Sequence, residues 1–259
     1  MDVSKIVLVV SLILLALILL FFLIAKINMS NLKKIFKGGN VIVFGKKGKG
    51  KDLLFQNVIK HRKKPYYSNI DYGYKLEKIV NVGDINVNPN TYIDFIKGST
   101  KKVKLPLKQD LDVYISDCGV CLPSQYDTQL SKLFPSFPIY YALSRHLTNS
   151  NIHCNTQALN RVWIKLREQA DYFIKCRSII KLPFFIIENY TIYDRYQSAL
   201  NDVRCSSSRL FNKYSKAEND VYNAENGEVK NGFVIISKRS IRYDTRYFRR
   251  VLDVDCPKK

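Results

Sequence analysis

The chain has 259 residues, 46% of them hydrophobic and 12% aromatic, which excludes a disordered polar tail and leaves room for a sizeable core. Its 42 Lys and Arg against 22 Asp and Glu give a net charge of +20, which points to a polyanionic partner, nucleic acid or an anionic lipid surface. Of the six cysteines only Cys118 and Cys121 have CxxC spacing, with no second pair, so reduced and mostly buried thiols are expected rather than a zinc site.

From Ile6 to Ala25 the chain reads IVLVVSLILLALILLFFLIA, without a charge, glycine or proline. At a rise of ~1.5 Å per residue such a run crosses the ~30 Å hydrocarbon core as a helix. A cleaved signal peptide would have an apolar region of ~7–15 residues and a small-residue cleavage site. This run is longer and leads straight into Lys26 and Asn28. Residues 1–27 therefore read as an uncleaved transmembrane anchor. Lys5 and Asp2 precede the run; Lys26, Lys33, Lys34 and Lys37 follow it. Positive charge stays inside, so the expectation is a single-pass protein of the inner or plasma membrane, N-terminus out and large domain cytoplasmic. Residues 28–39 read as a basic juxtamembrane linker able to lie on anionic headgroups.

Asn40 to Phe44 (NVIVF) has strand character and runs into Gly45-Lys46-Lys47-Gly48-Lys49-Gly50-Lys51-Asp52. A following stretch with Leu54, Phe55 and Val58 at helical spacing completes strand, glycine loop, lysine, helix, the context a Walker A match needs. Gly45, Gly48 and Gly50 let backbone N–H groups curl around phosphate oxygens, and the helix N-terminus adds partial positive charge. Lys51 stands where a P-loop lysine reaches the β- and γ-phosphates. Asp52 replaces the usual Ser or Thr; as a hard oxygen ligand it suits Mg²⁺ but adds negative charge beside the phosphates. ATP with Mg²⁺ is the expected ligand.

A P-loop fold needs a second strand ending in an acid for the magnesium shell. Leu111 to Asp117 (LDVYISD) fits, with Asp117 at its end and Cys118 where a translocating ATPase usually has Glu. Pro138 to His146 reads as a helix and Asn151 to Gln157 as a strand with a polar terminus. Ala158, Leu159, Val162, Trp163, Leu166 and Ala170 repeat at helical steps, and Asp171 to Ile174 reads as a further strand. This βαβ alternation predicts a mainly parallel sheet covered by helices, with Gln157 at the ligand-facing edge.

The order of these pieces, P-loop, SDCG, SRH (Ser144 to His146), NTQ (Asn155 to Gln157) and KLREQADYFI (Lys165 to Ile174), resembles the Zot-like proteins. That family includes filamentous-phage assembly ATPases and belongs to the FtsK/HerA-type P-loop motors. The similarity spans roughly residues 38 to 180. It implies an α/β, RecA-like P-loop NTPase fold and ATP-driven movement of DNA through a membrane-bound assembly. By resemblance Lys51 binds phosphates, Asp117 holds the magnesium shell, Gln157 senses the γ-phosphate, and Arg145 and Arg167 match basic positions that reach a nucleotide, in the same subunit or across a boundary. A homo-oligomeric ring and phage or secretion assembly proteins are the implied partners.

Residues 40–190 are thus read as the NTPase core and 191–259 as a basic extension beside it. In detail, Leu182 to Tyr193 reads as a strand pair, Gln197 to Tyr214 as helical, Ala217 to Gly232 as a loop, and Gly232 to Arg250 as a basic hairpin. His61 to Lys64 with Tyr66 and Tyr67 reads either as a single-strand-binding surface or as a solvated helix end. Two functional readings stay open: a membrane-anchored motor that packages, extrudes or transfers phage or plasmid DNA, and a non-hydrolysing nucleotide-binding scaffold of an extrusion or secretion assembly. A small-molecule kinase fits less well, because the sequence offers no lid-like arginine cluster.

Overall fold

The structure is a computed structural model and describes residues 3–80, 82–85, 107–207 and 229–242. It opens with a single helix, α1 (Val3–Gly38), ended by the glycines Gly38 and Gly39. Among the described residues it is the one helix long and apolar enough to cross a membrane, and its apolar part is exposed. The segment expected as a linker is the continuation of this helix. Ala25, Met29, Leu32 and Phe36 recur every three or four residues, forming a stripe that packs into the domain. The last carbonyls of α1 are satisfied by long polar side chains: Arg62 Nη1 donates to Phe36 O at 3.0 Å, and Asn151 Nδ2 to Lys37 O at 3.1 Å.

The described strands are β1 (Val41–Phe44), β2 (Tyr66–Ser68), β3 (Leu76–Ile79), β4 (Asp112–Ile115), β5 (Ile152–Thr156), β6 (Tyr172–Lys181), β7 (Phe185–Tyr193) and β8 (Val229–Ser237). They form one sheet in the order β3-β2-β4-β5-β1-β6-β7-β8. From β3 to β6 the neighbours are parallel; β7 and β8 add on antiparallel. The mixed α/β, mostly parallel sheet therefore matches the sequence expectation, and two antiparallel strands, β7 and β8, extend it on one side.

Residues that alternate along a strand face opposite sides. Ile42 and Phe44 point to a core shared with Val113, Ile115, Phe137, Tyr141 and Trp163; Val41 and Val43 point to one shared with Phe36, Leu54, Phe55 and Val58. Helix α2 (Lys51–Arg62) is buried almost throughout because α1 covers the side that the sheet does not. This explains why Gln56 and Asn57, polar by type, are buried as well.

Four expectations change. Residues 158–170 are not a continuous helix: a 3₁₀ turn (Leu159–Arg161) is followed by an extended break and a one-turn helix (Ile164–Arg167). Leu159, Val162, Trp163 and Leu166 are nonetheless fully buried, so the spacing recorded burial, not helix. Leu182 to Tyr193 is one strand with the preceding turn, its partner being β6. From Gly232 onward the chain continues β8 and a 3₁₀ turn at Lys238–Ser240, a single strand rather than a hairpin; residues 243–250 lie outside the described residues, as do 208–214 and 217–228. Tyr66 and Tyr67 are buried in β2, which removes them from any single-strand-binding surface.

Candidate functional site

β1 sits between β5 and β6, so the loop leaving its C-terminal end emerges at the centre of the sheet. Gly45 N–H donates to Thr156 O at 3.2 Å, tying the loop's start to the end of β5. Gly48 and Gly50 have φ of 77° and 96°, a region that L side chains rarely adopt. A Cβ on Gly50 would also lie 2.8 Å from Glu188 Oε1. The loop therefore needs glycine there twice over, for its turn and for the close approach of β7. Lys51 is the first residue of α2 and is buried, while Lys46 and Lys47 are exposed.

β5 separates β1 from β4, and the end of β4 lies on the same edge as the loop. β4 ends at Ile115; the hydroxyl of Ser116, which follows it, reaches Asp52 on α2, and Asp117 comes next. Ser116 is clamped on both sides by Asn69: its N–H donates to Asn69 Oδ1 at 2.7 Å and its carbonyl accepts from Asn69 Nδ2 at 2.9 Å. Its hydroxyl donates to Asp52 Oδ1 at 2.7 Å. The same oxygen accepts from Asn155 Nδ2 at 2.7 Å and Tyr72 Oη at 3.1 Å. Asp52 is thus the hub that joins α2, β4, β5 and the loop after β2.

Asp117 lies one step further on, at φ 49° and ψ 43°, capping the short helix Cys118–Cys121, with its N–H on Asn155 Oδ1 at 2.8 Å. Burial raises its carboxyl pKa above the usual range, and the negative charge of Asp52 adds to that, while Lys51 and Lys47 pull it back. Cys118, assigned from sequence to the catalytic-acid position, is instead a buried core residue beside Cys154. Gln157 follows β5 directly and is exposed at the same edge.

Arg145 and Arg167 are elsewhere. Arg145 is in the last turn of helix Phe137–Thr148, and that helix ends against the loop before β4, where Asp110 N donates to Thr148 O at 2.8 Å. Arg167 bonds Tyr196 Oη and lies 5.1 Å from that ring, beside the start of β6. Both belong to the sheet edge opposite the glycine loop, so neither reaches this loop within the chain.

Sequence reasoning missed Ser116, Asn155, Asn69, Tyr72 and Glu188. The last is fully buried on β7 beside Cys176, and burial holds its carboxyl pKa well above the ordinary value. The sequence signal is a lone acid inside the apolar run PFFIIENY.

No protein-family model and no curated protein matches this sequence. Among solved structures, the chain is similar to the N-terminal domain of zonular occludens toxin from Neisseria meningitidis, at 11% identity and a TM-score of 0.44, over 81% of this chain and 96% of that one. The genome packaging NTPase B204 from Sulfolobus turreted icosahedral virus 2, in complex with AMP, matches at 15% identity and a TM-score of 0.38, over 61% of this chain and 93% of that one. The cytoplasmic domain of the Thermomonospora curvata Type VII secretion ATPase EccC matches at 14% identity and a TM-score of 0.30, over 55% and 21%. The functional reading rests on the residues of this chain.

Proposed function

We propose that this chain is a membrane-anchored, nucleotide-binding motor that uses ATP and Mg²⁺ to drive DNA packaging, extrusion or transfer. The observation that carries the nucleotide reading is the loop itself: left-handed glycines at Gly48 and Gly50, Lys51 opening a buried helix, Asp52 next to it on that helix, and the oxygen groups of Ser116 and Asp117 past the end of β4. Backbone N–H groups of residues 46–51 would cradle phosphates, and Lys51 would neutralise the terminal ones. β5 between the loop strand and the acid strand supports a sensing role for Gln157, which stands at the end of that strand.

The membrane reading is supported by the exposed apolar length of α1 and the lysines that follow it. The DNA reading is supported by the net charge of +20. A ring of identical subunits is part of this proposal because Arg145 and Arg167 lie too far from the loop of their own chain to serve it. They become useful only where the opposite sheet edge of one subunit faces the loop of the next.

The test is ATP binding and turnover by the full chain in nanodiscs, with and without single-stranded DNA, beside Lys51→Ala. DNA-stimulated turnover that Lys51→Ala abolishes is the expected result. Nucleotide binding without turnover under all conditions favours the scaffold reading, and no binding at all refutes the nucleotide site.

A further inference from the structure

In the usual phosphate-loop site a hydroxyl follows the lysine and an acid ends the facing strand, and both serve one magnesium ion. In this chain the two chemistries have changed places. The residue after Lys51 is the acid, Asp52, and the first residue past β4 is the hydroxyl, Ser116. Their side chains still meet, at 2.7 Å, so the carboxylate–hydroxyl pair is retained with its direction reversed. Asp117, next along the chain, then occupies the position where such a motor needs a base for the attacking water.

We infer that Asp52 is the magnesium-ligating carboxylate, that Ser116 positions it, and that Asp117 is the general base. The inference rests on the nucleotide-binding reading above and deepens it. The donor set fits a hard, oxygen-seeking cation: one carboxylate oxygen of Asp52 is held by Ser116, Asn155 and Tyr72, which fixes the group and leaves Oδ2 for a metal ion. When bound, magnesium would supply positive charge against the phosphates.

Asp117 is held differently. Its backbone, not its carboxylate, is anchored to Asn155, and its left-handed φ turns it away from the strand direction. It follows Ser116 past the end of β4, on the sheet edge where the loop leaves β1, and Lys51 and Lys47 lie close enough to act on its charge. In the hydrolytic step Asp117 accepts a proton from water as the water oxygen bonds to the γ-phosphorus. The bond from that phosphorus to the bridging oxygen breaks, and its electron pair leaves with ADP. This arrangement removes the gap at Cys118, because Cys118 is not the residue at that position.

The experiment uses the full chain in nanodiscs and Mn²⁺ as the probe. Mn²⁺ affinity is read by electron paramagnetic resonance in the presence of a non-hydrolysable ATP analogue, and nucleotide affinity in EDTA by fluorescence. Asp52→Ser is expected to weaken Mn²⁺ by roughly tenfold or more, the lower end of effects seen at metal sites, while metal-free nucleotide binding persists. Asp52→Ser combined with Ser116→Asp, which restores the common order, is expected to recover most of that loss. Asp117→Asn is expected to keep Mn²⁺ affinity within about twofold and to stop turnover.

Unchanged Mn²⁺ affinity in Asp52→Ser, or a double variant no better than Asp52→Ser, overturns the assignment. So does loss of Mn²⁺ in Asp117→Asn, which would make Asp117 the ligand. A native chain that binds no nucleotide with or without Mn²⁺ refutes the underlying reading instead, so the two failures are distinguishable.

Discussion

His153 lies in β5 with no solvent exposure, its ring 4.8 Å from that of Phe36 and 4.9 Å from that of Tyr114. Neither ring nitrogen has a hydrogen-bond partner among the described residues. Burial drives its pKa well below the ordinary 6.5, and the nearby positive charge of Arg62 lowers it further. The folded chain therefore keeps His153 neutral on acidification, whereas the unfolded chain takes up the proton near pH 6.5. Stability is present above that value and is lost as pH falls below it. Integrating the linkage relation from pH 7 to pH 5 sets an upper bound of about 2 kcal/mol on the loss from this residue. His153→Phe keeps a ring between Phe36 and Tyr114 and abolishes the titration. The measurement is urea unfolding of the full chain in detergent micelles at both pH values, followed by the fluorescence of Trp163, the chain's single tryptophan and a buried one. The native chain should lose up to about 2 kcal/mol more on acidification than the variant. Equal acid losses in the two would refute a neutral, unpartnered His153, and the subtraction removes what His61 and the general charge contribute to both.

Gly50→Ala forces a side chain into φ 96° and against Glu188, so a loss of about 1–3 kcal/mol in the same unfolding assay is expected, together with loss of ATP-analogue binding. Arg145→Ala should leave nucleotide affinity of the detergent-dispersed monomer within about twofold, because Arg145 is at the opposite sheet edge; a tenfold drop there would contradict that placement. The turn between β6 and β7 exposes Phe184, and Phe185 packs 6.0 Å from Phe22 of α1. If α1 enters a bilayer, this tip sits at its surface. A tryptophan at Phe184, in a chain carrying Trp163→Phe, should then be quenched by lipids brominated near the headgroup and not by a water-soluble quencher.

What was readable in the sequence is what adjacent residues settle among themselves. The glycine loop, β1, β4 and β5 all follow from local patterns of apolar runs and turn residues. The stretch from Ala158 to Ala170 misled because burial at helical spacing does not require a helix. Trp163 N–H donates to Leu122 O at 3.0 Å, and Val162 bridges to Pro123, so tertiary partners replace the intrahelical bonds. The contact that Ser116 makes was missed for a similar reason. Which side chain past β4 bonds Asp52 is set by a contact between residues 64 apart. Asn155 reaches Asp52 across 103 residues, and no local pattern announces it. Glu188 is legible only as an anomaly until β7 is seen to run beside β6 and under Gly50.

The course of α1 has a consequence for access. Its last turn is tied to Arg62 and to Asn151, at the edge where β5 begins, while Phe22 meets Phe185 at the far tip of the β6–β7 turn. The helix thus runs the length of the sheet, antiparallel to β1, as one unbroken rod. Any bilayer entered by its outer turns lies on the side of the sheet where the glycine loop opens. The mouth of the site would then look toward the lipid, and a nucleotide would have to come in sideways, through the gap between protein and headgroups. Headgroup phosphates would line one side of that gap, and the exposed Lys46 and Lys47 the other. Such a bilayer would also be a standing competitor for the loop, favouring occupation by a ligand with more negative charge than a single headgroup.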